Sequence, residues 1–173
     1  MGQLTGKKVL MVVSPKDFRD EEYFKTRVVL QGAGAQVLTV SDGVEEATGV
    51  LGGKAKVDLD LEAVTIDDYQ AIVFVGGPGA ASYFNHKTVL ALAKQVAQQE
   101  KVIGAICIAP SILANAGILD GKKVTSFPSE EGNLKKKGAI FTGKDVEVDG
   151  KIVTARGPAA AERFGQELAK LIQ

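Results

Sequence analysis

At 173 residues and 45% hydrophobic content, the chain is sized for one domain, residues 1–173. Such a domain buries roughly 70% of its unfolded surface and needs no staple. Lys plus Arg and Asp plus Glu both number 21, so the formal net charge is zero and no basic excess is present to hold a nucleic acid backbone. One cysteine makes no internal disulfide, which fits a reducing, cytoplasmic setting. One Cys and one His, with acids in no loop spacing, form no recognisable ligand cluster, so no metal is expected. The opening Met1-Gly2-Gln3-Leu4-Thr5-Gly6 lacks the apolar core of a signal peptide, and Gly6 stands where a myristoylation signal wants Ser or Thr. Neither secretion nor a membrane anchor is expected.

Lys8 to Val13 is a short apolar run, and Val37 to Val40 and Ala71 to Val75 repeat it, each ahead of polar or glycine-rich residues. These read as central parallel strands. Between the first two, Glu22 to Gln31 has helical spacing (Tyr23, Arg27 and Leu30, or Phe24 and Val28), ended by Gly32 and Gly34. Ala55, Val57, Leu59 and Leu61 alternate with polar residues after Gly52-Gly53, which suggests a hairpin on an edge. Asn85 fits as the cap of a helix from His86 to about Gln99, and His86 in its opening turn reads as a solvated surface residue. Lys135-Lys136-Lys137, offset by Glu130 and Glu131, reads as a surface helix. Asp145 to Val148 and Lys151 to Thr154 flank Asp149-Gly150 as a hairpin, followed by a helix from about Ala159 to Ile172. The pattern as a whole predicts an α/β fold, an open and mostly parallel sheet with helices on both faces and the site at the carboxyl ends of the strands.

Ala105-Ile106-Cys107-Ile108-Ala109-Pro110 follows the apolar run Val102 to Ile106 and has the shape of a nucleophile elbow: a buried strand ends, the chain reverses among small residues, and a helix begins. The span Val102 to Leu119 is long enough for a membrane, but Gly104, Pro110 and Asn115 interrupt it and an elbow explains it better. A thiol at a helix N-terminus is reactive because the helix favours thiolate. The same spacing also fits a buried structural cysteine. Gly76-Gly77-Pro78-Gly79 lacks the third glycine of a dinucleotide fingerprint, which leaves a tight turn donating backbone N–H groups or an ordinary loop. No phosphate loop follows the first strand, so flavin is not expected, and no other cofactor is.

Together, Asp17-Phe18-Arg19-Asp20-Glu21-Glu22, Gly76-Gly77, the elbow, Gly117-Ile118-Leu119 with Gly121-Lys122-Lys123-Val124-Thr125, and Thr154-Ala155-Arg156-Gly157-Pro158 make the whole chain resemble the PfpI/ThiJ superfamily. That family includes the archaeal intracellular proteases and the Parkinson-disease protein deglycase. The resemblance implies a flavodoxin-like three-layer sandwich, a homodimer, a reactive cysteine at Cys107 and a glutamate touching it, which by position is Glu22. The alternative for Glu22 is a solvated first-turn acid. Backbone N–H groups of Gly77 and Ile108 would then form an anion hole beside Gly76. Arg156, at a strand end, either contacts a substrate anion or orders the last helix.

The departures bear on the chemistry. Where many members carry histidine after the nucleophile, this chain has Ile108; where others supply one from the Val-Thr-x-x-Pro segment, it has Phe127. Residues 78–84 contain no acid. Without a Cys-His-acid triad, proteolysis loses the roughly 10²- to 10⁴-fold that a positioned acid-base group contributes. A reactive 2-oxoaldehyde is less demanding: Cys107 adds to it, Glu22 moves protons and water releases a hydroxy acid. The glyoxalase or deglycase reading therefore stands beside two others: a redox-responsive protein whose Cys107 is oxidised to sulfinate, and a non-catalytic binding module.

Overall fold

The computed structural model describes residues 2–173. Its first half comprises β1 (Lys8–Val12), β2 (Lys16–Phe18), α1 (Asp20–Gly32), β3 (Gln36–Ser41), β4 (Glu46–Gly49), β5 (Lys54–Lys56), β6 (Leu59–Asp60) and β7 (Ala71–Phe74). There follow α2 (Lys87–Gln98), β8 (Val102–Ile106), α3 (Pro110–Asn115), β9 (Lys123–Val124), α4 (Glu131–Lys136), β10 (Ile140–Phe141), β11 (Val146–Asp149), β12 (Ile152–Ala155) and α5 (Ala161–Ile172). Seven strands form the central sheet in the order β11-β12-β8-β7-β1-β3-β6, all pairings parallel except β11 with β12.

The apolar runs become central strands because both faces are covered. Val9 and Met11 of β1 join Leu30 of α1 and Phe164 and Leu168 of α5 on one side. Leu10 and Val12 point the other way and join Val89 and Leu92 of α2 and Leu113 of α3. Gly104 in β8 lets α5 lie close: a Cβ there would stand 2.8 Å from Leu168 Cδ2 and 2.9 Å from Phe164 Cζ. The chain runs from β1 outward to β3 and β6, then returns to build β7, β8 and β12 on the other side. The loops at the carboxyl ends of β1, β7 and β8 thus converge at the point where strand order reverses, the usual place for a site in an open α/β sheet.

Several expectations need correction. The hairpin suggested by Ala55 to Leu61 forms with the residues before Gly52-Gly53: β5 pairs antiparallel with β4, and β4 with β2, in a separate three-stranded sheet, whereas β6 pairs with β3 in the main sheet. Asp58 makes the break, its Oδ2 accepting from Thr39 N–H and its own N–H donating to Thr39 O. The cap of α2 is His86 rather than Asn85; its Nδ1 accepts from Val89 N–H at 3.5 Å. His86 is half-buried, edge-on to Tyr83. In the β11–β12 hairpin Asp149 pairs with Ile152, so the turn is Gly150-Lys151, one residue later than expected. The last helix starts with a 3-10 turn at Pro158–Ala160 before α5.

Candidate active site

Cys107 follows β8 directly, with φ at 65°. A side chain in the left-handed region costs on the order of 1–3 kcal/mol and persists only where its surroundings over-determine it. They do so here. The Cys107 N–H donates to Ala155 O at 2.9 Å, and its carbonyl accepts from Phe127 N–H at 2.8 Å. Pro110 opens α3, where its missing N–H leaves no bond unmade. The elbow expected from the sequence is therefore present, clamped between β12 and the segment carrying Phe127.

Glu22 lies in the first turn of α1 and is fully buried. Its Oε1 accepts from Gly76 N–H at 3.0 Å. Its Oε2 has no N–H or O–H partner, and the neighbour placed to share a proton with the carboxyl is the Cys107 thiol. The backbone N–H groups of Gly77 and Ile108 both address that sulfur. Gly77 holds φ at 99°, and a Cβ there would strike Arg19 N at 2.3 Å. The turn after β7 is thus pressed against the start of α1, which brings Gly76, Gly77, Glu22, Cys107 and Ile108 together.

Burial pushes the Glu22 carboxyl up to about 8, against the hydrogen bonds from Cys107 and Gly76 and the charge of Arg19. Burial, then the Glu22 charge, pushes the Cys107 thiol up to about 12, against the N–H groups of Gly77 and Ile108. These values belong to the pair, which keeps both protons at neutral pH and releases them in two steps. A resting thiolate at neutral pH, the expectation from a helix N-terminus, is not what these surroundings give. The six-residue α3 is too short to outweigh desolvation of the sulfur.

Arg19 was not among the expected site residues. Its Nε and Nη2 grip Glu21 at 2.9 Å each, its N–H donates to Gly76 O, and its charge acts on both Glu22 and Cys107. The only sequence signal was its place three residues before Glu22. Arg156 is exposed, with its N–H on Asp145 O, and with Phe127 it lines a cavity beside the elbow. A cavity of 700 Å³ opens near Lys101 and Lys151, at the amino ends of β8 and β12, opposite the elbow. Size does not locate the chemistry.

The structure brings His86 to Asp42 and Glu62 instead, their ligand atoms lying within 4.8 Å of one another. Its Nδ1 caps α2, and its Nε2 lies 3.3 Å from Asp42 Oδ2. No helix among the described residues is long and apolar enough to cross a membrane.

A flavodoxin-like sheet with a buried acid beside an elbow cysteine defines a class of proteins. Residues 7–171 match the DJ-1/PfpI family, and the chain belongs to it. An uncharacterized protein of Methanocaldococcus jannaschii is 46% identical over 169 residues, covering 96% of this chain and 82% of that one. A deglycase of Pyrococcus horikoshii is 30% identical over 166 residues, covering 96% and 99%. Among solved structures, a ThiJ/PfpI domain protein from Brachyspira murdochii superposes with a TM-score of 0.94 at 31% identity, covering 97% of each chain.

Proposed function

We propose that the protein converts 2-oxoaldehydes, or the adducts they form, into hydroxy acids, with Cys107 as nucleophile and Glu22 as proton carrier. The observation that carries this is the buried pair itself: a carboxyl near 8 beside a thiol that faces two backbone N–H groups. One proton leaves the pair, and the form that reacts is the one in which the remaining proton rests on Glu22 and Cys107 is the thiolate. The sulfur adds to the aldehyde carbon, and the new alkoxide takes the Glu22 proton, giving a hemithioacetal. The Glu22 carboxylate then removes the proton on that carbon and returns it to the neighbouring one, while the hydroxyl proton passes to the former ketone oxygen, leaving a thioester of the 2-hydroxy acid. Water cleaves the thioester and restores the thiol; overall, oxoaldehyde plus water gives hydroxy acid, with no external oxidant or reductant. The N–H groups of Gly77 and Ile108 hold the oxyanion in each addition step. The similarity to a protein named a deglycase supports the same chemistry.

Lactate formed from methylglyoxal tests it. Wild type should produce lactate, while Cys107→Ala and Glu22→Gln should fall to background; equal turnover by wild type and Cys107→Ala would sink the proposal.

A second reading rests on the unpartnered Glu22 Oε2. Two equivalents of peroxide would convert the thiol to sulfinate with release of two waters, and a protonated Glu22 would donate to one sulfinate oxygen while Gly77 and Ile108 hold the other. Intact mass after mild peroxide should rise by two oxygens in wild type and not in Cys107→Ala. A cytoplasmic, stress-responsive role belongs to this reading and is checked by fractionation and induction.

We also propose a homodimer. Val28 on α1 and Leu51 beyond β4 are 66% and 64% exposed, and Phe24 links them, lying against Gly53. A second copy covers such a patch. Sedimentation should give a dimer for wild type and a monomer for Val28→Lys/Leu51→Lys.

A further inference from the structure

We infer that the cavity beside the elbow is a side-chain subsite that favours aromatic or branched carbonyl compounds over methylglyoxal, with Phe127 as the residue that sets the preference. The inference rests on the oxoaldehyde reading above. The cavity measures 220 Å³ and is lined by Phe127, Gly157, Pro158, Ala159 and Ala160 together with the charged Asp145 and Arg156. Two backbone bonds fix it against the nucleophile: Phe127 N–H to Cys107 O at 2.8 Å, and Cys107 N–H to Ala155 O, the residue before Arg156, at 2.9 Å. These bonds set the hollow in the two segments that flank the elbow, with Cys107 itself outside its lining.

A 2-oxoaldehyde attacked at its aldehyde carbon carries its side chain on the next carbon, so that group must turn to one side of the elbow or the other. The side formed by the turn after β7 is closed by backbone. A Cβ at Gly77 would stand 2.3 Å from Arg19 N, and one at Gly79 1.9 Å from Lys16 O. Space exists on the Phe127 side. An apolar cavity of about 150 Å³ accepts benzene, so 220 Å³ holds a phenyl or isobutyl group with room to spare. Phe127 is 45% exposed, an aromatic face left open to solvent next to the nucleophile. Methylglyoxal, with a single methyl, would leave that face wet. A histidine at this position would offer a proton carrier; Phe127 offers apolar area.

The test reads the subsite through covalent labelling, which needs no turnover. Phenacyl bromide and bromoacetone are α-bromo ketones in which the sulfur displaces bromide, and they differ in carrying a phenyl or a methyl group. Their rate ratio on Cys107, divided by their ratio on glutathione, isolates the contribution of the pocket. We expect a quotient of roughly tenfold or more in wild type, the scale on which a hydrophobic pocket discriminates. Phe127→Ala removes the wall, and Gly157→Leu fills the hollow from an extended backbone position whose Cβ would meet only Phe127 Cδ1, at 3.9 Å. Both should bring the quotient to about one, and kcat/KM for phenylglyoxal over methylglyoxal should shift in parallel. A wild-type quotient of one, or one that neither substitution moves, overturns the subsite. A high quotient that both variants abolish, with no turnover of any oxoaldehyde, keeps the subsite and sinks the reaction.

Discussion

Glu22 and Cys107 meet across Gly76: a Cβ at that glycine would stand 2.5 Å from Glu22 Oε1 and 2.6 Å from Cys107 Cβ. The same Cβ would lie 2.6 Å from Ile106 O, a backbone atom that cannot rotate away. Gly76→Ala should therefore wedge the carboxyl and the elbow apart. We expect a loss of about 1–3 kcal/mol, as for other overpacked interiors, with an altered rate of Cys107 alkylation. Urea denaturation and iodoacetamide labelling measure both, and a variant that matches wild type in each would show that the pair does not meet there.

The buried carboxyl makes stability depend on pH with a definite sign. Glu22 titrates at about 8 in the fold against an ordinary value of 4.5. Between those values the unfolded chain has released the proton and the folded chain still holds it, so stability falls as pH rises. The advantage of the neutral carboxyl is complete below 4.5 and gone by about 8. Glu22→Gln removes this dependence. Relative to the variant, wild type should lose about 3 kcal/mol between pH 4.5 and pH 7, and denaturation at both pH values reads the difference. A difference that stays constant across that range would mean an ordinary carboxyl.

The thiol should respond to the same substitution. In wild type the pair gives up protons near 8 and near 12, and the Glu22 charge is the second-largest cause of the upper value. In the Glu22→Gln variant that charge is absent and the sulfur titrates alone. The pH profile of alkylation should then show a single rise, at lower pH than the upper step of wild type, where wild type shows two. Two inflections surviving in Glu22→Gln would place the coupling partner elsewhere.

What could be read from the residues followed from local physics. The strands later found as β1, β7 and β8 stood out because burial on both faces leaves unbroken apolar runs, and Cys107 stood out because an elbow needs small flanking residues. Glu22 was placed by family position, since a first-turn acid looks the same in sequence whether it faces water or a sulfur. Other features depend on partners distant in the chain. Asp58 splits the Ala55 to Leu61 segment by pairing with Thr39, His86 takes the cap from Asn85 because its ring also packs on Tyr83, and the hollow at Phe127 needs the segment after β12 for its other walls. The height of the thiol value was equally hidden, because it depends on how completely the surroundings exclude water.

Asp20 offers a test of how independently the site is held. It is buried at the start of α1, and its two carboxylate oxygens accept from Leu51 N–H at 2.8 Å and Gly53 N–H at 2.7 Å. It thereby ties the β4–β5 turn to the helix that carries Glu22. Asp20→Ala leaves both N–H groups without an acceptor, and because that turn is partly open to water, the expected cost is about 1–3 kcal/mol. Amide exchange at Leu51 and Gly53 should accelerate by roughly ten- to a hundredfold. Glu22 has its own anchor in Gly76 N–H, so the Cys107 alkylation rate should change by less than about threefold, a margin below 1 kcal/mol. If alkylation instead shifts by an order of magnitude while the fold survives, the hairpin helps to position the acid, and the Gly76 bond alone does not fix it.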